Sequence, residues 1–488
     1  MDRKLRVKIQ SFGIAESYSL SIAGKDKNHI LVKLKEFIAS LYDDFDNAFV
    51  YEGKKLLFKL SRSILSAPVS ISVVGTGYVG LISGVGLAMR GRKITCVDID
   101  ENKINMIKNR ISPIFEAGLQ EELEKLPKEY FMPTTDLKNA IMNSDATMIA
   151  VGTPCKENGE INLGYLKEAS KEIGKILKNK HGHLVIVKST VIPGTTENTV
   201  KKAIIETAGH SNFEIAMVPE FLREGLAMND FLYPDRIVIG AENPSVANKI
   251  KFIFKEFETK FYVTTIRTAE MIKYASNSML AVKISFANEF GNLCKAIGID
   301  VYEVMDGVAL DRRINRAFLN AGRGFGGSCF PKDVQAIRYL ADQLKVETKL
   351  LDSIWALNKE QPKILVKLAE KHLGKLKGKN VAVLGLAFKP GTDDIRESPA
   401  IIVINELLKK GANVYGYDPV AEENMKKIFP NIAYAAAPEE AIKNADIVIG
   451  VTEWPDLKKE ELYKGKIFID GMKFFNKKTE GNYEGICW

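Results

Sequence analysis

The sequence predicts an α/β fold in which two doubly wound parallel sheets are joined by a long central helix and preceded by a small N-terminal α/β extension. Three observations predict it. Short apolar runs alternate with helical segments from residue 69 onward, and the same alternation returns from residue 380. Between them, from about residue 268 to residue 297, the apolar spacing is helical without a break, far beyond the mean helix length. A chain of 488 residues is also too long for one core, so several domains are expected.

The elements divide the chain into segments 1–68, 69–262, 263–375 and 376–488. In the first, residues 5–9 alternate like a strand, 28–42 carry apolar residues at helical spacing, and 48–51 and 56–60 flank a hairpin turn. No chemistry is visible there. In the second, strands are expected at 71–74, 93–98, 146–151, 184–187 and 214–218. In the third, Met271, Ala275, Leu280, Val282, Phe286, Phe290 and Leu293 give the long helix apolar faces, so it bridges domains or forms a subunit interface. A second helix-rich stretch covers about 348 to 373. Strands at 380–385, 413–418, 446–451 and 466–470 build the fourth segment.

Composition narrows the function. Hydrophobic residues make up 46% and charged residues 27%, as in an ordinary globular protein. The net charge of +8 is spread along the chain rather than clustered, which argues against a nucleic-acid partner and suits an anionic small substrate. Cys96, Cys155, Cys294, Cys329 and Cys487 are odd in number and contain no CxxC pair, so neither a disulfide framework nor a metal site is expected. No signal peptide or membrane-length apolar run is present, and the expected compartment is the cytoplasm.

Two motifs carry chemistry. Gly75-Thr76-Gly77-Tyr78-Val79-Gly80 follows a strand and opens a helix, and Asp98 ends the next strand. In this Rossmann-like context Gly75 permits the tight turn, Gly77 the approach of a pyrophosphate, and Gly80 the packing of helix on strand. Asp98 would hold the ribose hydroxyls and repel a 2′-phosphate, which favours NAD. The second α/β unit lacks the later glycines after Gly385, and offers Lys389 and Arg396 to phosphates instead. The other motif is Gly326-Gly327-Ser328-Cys329-Phe330-Pro331-Lys332-Asp333. It sets a thiol in a glycine-rich turn beside a lysine, whose charge lowers the cost of the thiolate, and an aspartate able to take a proton from water. This is a pattern for covalent catalysis followed by hydrolysis.

With GTGYVG at 75–80 and GFGGSCFPKD at 324–333 stand VDID at 97–100, SPIFEAGL at 112–119, VGTP at 151–154, KSTVIPGT at 188–195, VPEFLREG at 218–225, EMIKYASNS at 270–278 and LAFKPGTDDIRESP at 386–399. On these segments the chain resembles the UDP-glucose dehydrogenases within the nucleotide-sugar dehydrogenase family, from about residue 70 to 475. The resemblance implies four-electron oxidation of UDP-glucose by two NAD⁺, through a thiohemiacetal and then a thioester on Cys329. It implies that Lys273 and Asn277 polarise the oxyanion or position a water, that Asp333 and Thr190 organise the catalytic water, and that Glu220 moves a proton. Cofactor contacts fall on Tyr78, Val79, Lys103, Thr153, Pro154, Thr190, Glu224, Lys332 and Arg396. Sugar-nucleotide contacts fall on Glu220, Phe221, Leu222, Lys273, Asn277, Phe325, Gly326 and Lys389, with Arg313 reaching in from the neighbouring subunit of a homodimer or larger homo-oligomer.

Three features depart from the family pattern. Asn320 stands where a lysine is found in some members. The sequence Asp470-Gly471-Met472-Lys473 replaces an ending with arginine, leaving Lys473 as its stand-in. Residues 1–68 lie outside the pattern. Other readings are a UDP-N-acetylhexosamine dehydrogenase, a one-step hydroxyacid dehydrogenase, and a non-catalytic NAD- or nucleotide-sugar-binding regulator. Ser328 before the cysteine favours UDP-glucose, because enzymes for the N-acetyl sugars commonly carry histidine there.

Overall fold

The computed structural model describes residues 2–11, 14–23, 47–52, 55–61, 69–476 and 479–488. The N-terminal strands β1 (Asp2–Ser11), β2 (Ile14–Ala23), β3 (Asn47–Glu52) and β4 (Lys55–Ser61) form an antiparallel sheet in the order β2-β1-β3-β4. The expected hairpin is the β3–β4 pair, whose register shifts at Val50/Tyr51. The helix expected at 28–42 falls outside the described residues. The strand β2 was not foreseen.

The first large sheet holds β5 (Ser70–Val74), β6 (Lys93–Val97), β7 (Phe131–Thr134), β8 (Ala146–Ile149), β9 (His183–Val187), β10 (Phe213–Met217), β11 (Arg236–Ala241) and β12 (Lys260–Thr264), in the order β12-β11-β10-β9-β8-β5-β6-β7. Its central strands β5, β8 and β9 are short, apolar and covered on both faces, as parallel strands between helical layers must be. In β9, Leu184 and Ile186 enter one core while Val185 and Val187 enter the other. The sheet is not wholly parallel: β10 and β11 run antiparallel. This corrects the all-parallel expectation: the 218–235 connection, with its single short helix Ala227–Leu232, brings β11 back beside β10 in the opposite direction.

The second large sheet is parallel throughout, with β13 (Asn380–Leu384), β14 (Asn413–Tyr417), β15 (Ala433–Tyr434), β16 (Ile447–Gly450), β17 (Ile467–Asp470) and β18 (Tyr483–Gly485) in the order β15-β14-β13-β16-β17-β18. Between the sheets runs the helix Ile266–Ile297, of 32 residues. The Thr265 side chain caps its start by accepting from the Thr268 amide, and Gly298 at φ +74 ends it. One face buries Ala269, Lys273, Asn277 and Ala281, while Met279, Phe286, Phe290, Leu293 and Ile297 are exposed. The helix Phe330–Gln343 packs against it and begins directly after Cys329. No helix of the described residues is long and apolar enough to cross a membrane.

Candidate active site

The loop after β5 meets the steric requirements of a pyrophosphate cradle. Gly75 has φ +98, and a Cβ there would stand 2.7 Å from the Ala150 carbonyl oxygen. A Cβ on Gly80 would fall 1.9 Å from the Gly75 carbonyl oxygen, so the helix can lie this close to the strand only with glycine. Around Gly77 a Cβ would meet nothing within 4 Å. The helix Tyr78–Met89 starts there with no side-chain cap and no acid in its first turn, which leaves its positive end open to an anion. Half-buried Asp98 accepts from the Thr76 amide and hydroxyl, both at 2.7 Å, and from the Asp100 amide at 3.1 Å. Burial raises its pKa, but the Thr76 bonds and nearby Lys103 hold the carboxyl below its ordinary value. Thr153 Oγ1 donates to the Thr190 carbonyl at 2.7 Å, joining two of the expected cofactor segments, and Pro154 is exposed beside them. An open cradle, an uncapped helix start and an ionised acid together suit a dinucleotide.

A cleft of about 1050 Å³ opens between the 218–224 loop, the long helix, the cysteine loop and Phe388–Lys389 of the second α/β unit. It is lined by Glu220, Phe221, Leu222, Lys273, Asn277, Gly326, Cys329 and Lys389, so most of the expected substrate set is gathered there. Lys273 and Asn277 lie one turn apart on the long helix. Lys273 Nζ is 2.7 Å from Glu220 Oε1, and the two residues are 2% and 6% exposed, so this ion pair is fully desolvated. Burial alone would lower the lysine and raise the acid. The pairing wins in both, so Lys273 is held above and Glu220 below its ordinary value. Glu220 Oε2 accepts from the Leu222 amide at 2.6 Å. Asn277 Nδ2 donates to Asp333 Oδ2 and Lys332 Nζ to Asp333 Oδ1, each at 2.6 Å.

The geometry corrects the reading of the thiol. Burial pushes Cys329 up to about 11, opposed chiefly by Lys273. The adjacent Lys332 spends its charge on Asp333, so the cation that favours the thiolate comes from the long helix and not from the cysteine loop. Ser328 Oγ stands 3.5 Å from Cys329 Sγ and donates to Glu224 Oε1 at 2.7 Å. Arg396 bonds Asp394 at 2.7 Å and lies 3.4 Å from Glu224 Oε1.

Other residues lie outside the thiol cleft. Phe325 is buried and lines a smaller cavity of about 320 Å³, shared with Gly326, Lys389, Asn320, Arg323 and Met472. Arg313 is paired with Asp311 at 2.5 Å and its side chain is 83% exposed, in neither cavity of its own chain. Lys473, the expected stand-in for the missing arginine, lines neither cavity. It pairs with Asp300 at 3.0 Å and lies over the Tyr302 ring. Three site residues went unassigned in the sequence. Lys188 is buried behind Glu220 and is lowered to about 8 by burial. Arg323 reaches the Phe388 carbonyl at 2.6 Å and the Thr452 hydroxyl at 3.1 Å. Glu116 bonds the Tyr78 phenol and accepts from the amides of Gly225 at 2.6 Å and Ala227 at 2.7 Å, so it ties the start of the cofactor helix to the acid-bearing loop. Its signal was the SPIFEAGL segment, which carried no assigned role.

A dinucleotide cradle on one sheet, with a thiol among lysine, amide and carboxylates in the neighbouring cleft, defines an oxidoreductase. Residues 69–258, 267–360 and 382–477 match the NAD binding, central and UDP binding domains of the UDP-glucose/GDP-mannose dehydrogenase family. The chain is 44% identical to a UDP-glucose 6-dehydrogenase of Rickettsia typhi over 415 residues, 82% of this chain and 94% of the relative. A solved UDP-glucose dehydrogenase from Pyrobaculum islandicum superposes with a TM-score of 0.84 at 40% identity, covering 88% of this chain and 99% of that one. A UDP-D-ManNAc dehydrogenase from Pyrococcus horikoshii reaches 0.76 at 27% identity, over 86% and 99%. The chain therefore belongs to the UDP-glucose/GDP-mannose dehydrogenase family, and its cofactor is NAD.

Proposed function

We propose that the protein oxidises the primary alcohol of UDP-glucose to the carboxylate of UDP-glucuronate through a covalent intermediate on Cys329. The observation that carries this reading is the buried Lys273–Glu220 pair in the same cleft as Cys329 and the Asn277–Asp333 bond. Bound NAD⁺ supplies the hydride acceptor, and two equivalents are needed because alcohol to acid is a four-electron change. Gly77 and the helix start hold its pyrophosphate and Asp98 its ribose. The C6 alcohol gives up a hydride and its hydroxyl proton, the proton passing by way of Lys273 to Glu220 and on to solvent. Lys273 and Asn277 hold the C6 oxygen as aldehyde and then as the oxyanion, a role in which a desolvated cation is most effective. Cys329 loses its proton and its sulfur bonds C6 of the aldehyde to give a thiohemiacetal. Loss of hydride from that carbon leaves a thioester. Water then adds to C6, Glu220 or Asp333 takes its proton, and the C–S bond breaks to return the thiol.

Lys389, at the junction of the two cavities, takes the diphosphate, and the smaller cavity takes the rest of the nucleotide. Arg313 and the exposed apolar face of the long helix serve a second copy of the chain, so the working form is at least a dimer. Five free cysteines favour a reducing compartment, the cytoplasm. The greater likeness to the UDP-glucose dehydrogenase than to the N-acetylmannosamine enzyme favours glucose as the sugar.

The test is the yield of NADH from limiting UDP-glucose, run beside UDP-N-acetylglucosamine and UDP-N-acetylmannosamine. Two NADH per UDP-glucose and little from the others is expected. Two from an N-acetyl sugar alone would keep the mechanism and change the substrate. Cys329→Ser is expected to abolish acid formation, and full acid production by that variant would remove the covalent step.

A further inference from the structure

The cleft holds a buried thiol that must lose a proton, and three carboxylates act on it or connect to it: Glu220, Asp333 and Glu224. Two are held by other groups, and no hydrogen bond leads from either to the sulfur. Asp333 is held by Asn277 and Lys332. Glu220 is held by Lys273 and the Leu222 amide. Glu224 differs. It is 8% exposed, its Oε2 accepts from no N–H or hydroxyl, and its carboxyl lies against that of Asp394. Its Oε1 accepts from Ser328 Oγ at 2.7 Å, and that same hydroxyl lies 3.5 Å from Cys329 Sγ. A continuous path thus runs from sulfur through one hydroxyl to one carboxylate. The path is pinned at both ends. The Gly327 amide donates to the Arg396 carbonyl at 2.9 Å, fixing the cysteine loop to the 394–396 segment. Glu116 accepts from the Gly225 amide at 2.6 Å, fixing the residue after Glu224.

We propose that Ser328 and Glu224 are the proton relay of Cys329, a role that rests on the covalent reading of the cleft. Ser328 is the catalytic member, because its hydroxyl touches the reacting sulfur. Glu224 acts through it as the terminal proton acceptor. In the forward step the S–H proton passes to Ser328 Oγ while the Ser328 proton passes to Glu224 Oε1, and the freed sulfur pair forms the bond to C6. On hydrolysis the same protons return in reverse as the C–S bond breaks, leaving the thiol and an ionised Glu224. No electron leaves or enters in either direction.

The electrostatics agree with this direction of transfer. Glu224 faces Ser328 from the cysteine loop, Asp394 and Arg396 from the segment above it, and Lys389 from the cleft wall. Burial first, and then the Asp394 charge, push it up to about 7. It is therefore ionised just above neutrality and still basic enough to hold a proton, the condition for efficient general-base work. Cys329 faces Lys273, Glu220 and Asp333 and stays a thiol at rest, so transfer is concerted with attack on the aldehyde.

The relay is tested on the full-length protein by the rate at which iodoacetamide labels Cys329, followed by mass spectrometry of its peptide from pH 5.5 to 9.5. This readout needs neither cofactor nor sugar. In the wild type the rate is expected to rise with an inflection near 7. In Ser328→Ala and Glu224→Gln the inflection is expected to vanish, with labelling at pH 8 reduced about 10-fold and kcat reduced about 100-fold, at the low end for loss of a general base. KM for NAD⁺ should stay within about twofold. Unchanged labelling profiles in both variants would overturn the relay. A raised KM for NAD⁺ with labelling intact would place Glu224 at the cofactor instead. Wild-type protein that shows the inflection yet fails to oxidise UDP-glucose would count against the substrate and not against the relay.

Discussion

The two parallel sheets turn the corner after their first strand in the same way and then diverge. Gly75 at φ +98 donates its amide to the Val97 carbonyl, and Gly385 at φ +84 donates to the Tyr417 carbonyl, each at 2.8 Å. In both, the residue directly after the neighbouring strand is an aspartate, Asp98 or Asp418. In the first sheet that acid stays half-exposed beside an open loop, and the helix begins at once. In the second, Asp418 is 3% exposed and folds back on the turn. It accepts from the amides of Leu386 at 2.7 Å and Ala387 at 2.9 Å and from the Trp454 indole at 3.0 Å. The next helix waits until Pro399, so the intervening loop is free to carry Lys389 into the cleft and Asp394 and Arg396 against Glu224. One topology thus gives a cradle for a cofactor in one place and a sealed corner that presents side chains in the other. What is left unfilled around the turn decides which, in keeping with the rule that function resides in sites grafted on folds.

The glycines give the largest test of this contrast. Gly77→Val adds atoms where nothing lies within 4 Å, so the melting temperature should hold while NAD⁺ affinity falls, by about 100-fold if the pyrophosphate is displaced from the helix start. Gly385→Val puts a Cβ 2.4 Å from the Thr452 carbonyl oxygen at positive φ and should cost at least about 3 kcal/mol of stability. Calorimetric melting and a cofactor titration on both variants would reveal any exchange of these effects, and an exchange would dissolve the contrast. The aspartates give a smaller one. Asp98→Ala should raise KM for NAD⁺ about 10-fold, since it loses ribose contacts worth about 1.4 kcal/mol. It should also lower the melting temperature, at a cost of about 1–2 kcal/mol of stability, because the buried Thr76 amide and the Asp100 amide lose their acceptor. Asp418→Ala leaves the amides of Leu386, Ala387, Val420 and Ala421 and the Trp454 indole N–H without their acceptor and should cost at least about 2–4 kcal/mol, with cofactor affinity kept. If instead Asp418→Ala weakened NAD⁺ binding, the second corner would have to be reopened as a nucleotide site.

Most strands legible in the sequence were apolar runs with few exposed residues, although β11, equally buried, was not read. The edge strand β12 is mostly exposed and β15 has only two residues, so neither leaves an apolar signal. The first-sheet corner could be read because its requirements are local: three glycines and one acid at fixed spacing. The thiol's environment could not. Lys332 adjoins Asp333 in sequence and is paired to it in space, while the cation that acts on Cys329 is 56 positions away. The Ser328–Glu224 bond joins residues 104 apart. Glu116 reaches Gly225 across 109 positions. Burial, which dominates the thiol, belongs to the assembled cleft and to no segment of it.

The contrast also extends to how each sheet meets acid. In the first, His183 of β9 is 1% exposed, is bonded through Nε2 to Thr147 Oγ1 at 2.7 Å, and has no partner for Nδ1. Burial, helped by the charge of Lys180, lowers it from 6.5 to about 3. The unfolded chain therefore binds this proton first. The stability tied to neutral His183 is fully present above pH 6.5 and is lost as pH falls toward 3. In the second sheet, Glu484 of β18, also buried, is lowered to about 2 despite burial, by Lys371, His372 and Lys295, so its share is kept until pH falls below 4.5. His183→Gln can keep a bond to Thr147 but binds no proton. It should be less stable than wild type at pH 7.5, by about 1 kcal/mol. Wild type then loses roughly 2–3 kcal/mol relative to it by pH 4.5, so the order should reverse. Urea midpoints measured at half-unit steps of pH would show the crossing. Curves that stay parallel would mean that the histidine is already charged in the fold, and that the two sheets do not differ in this respect.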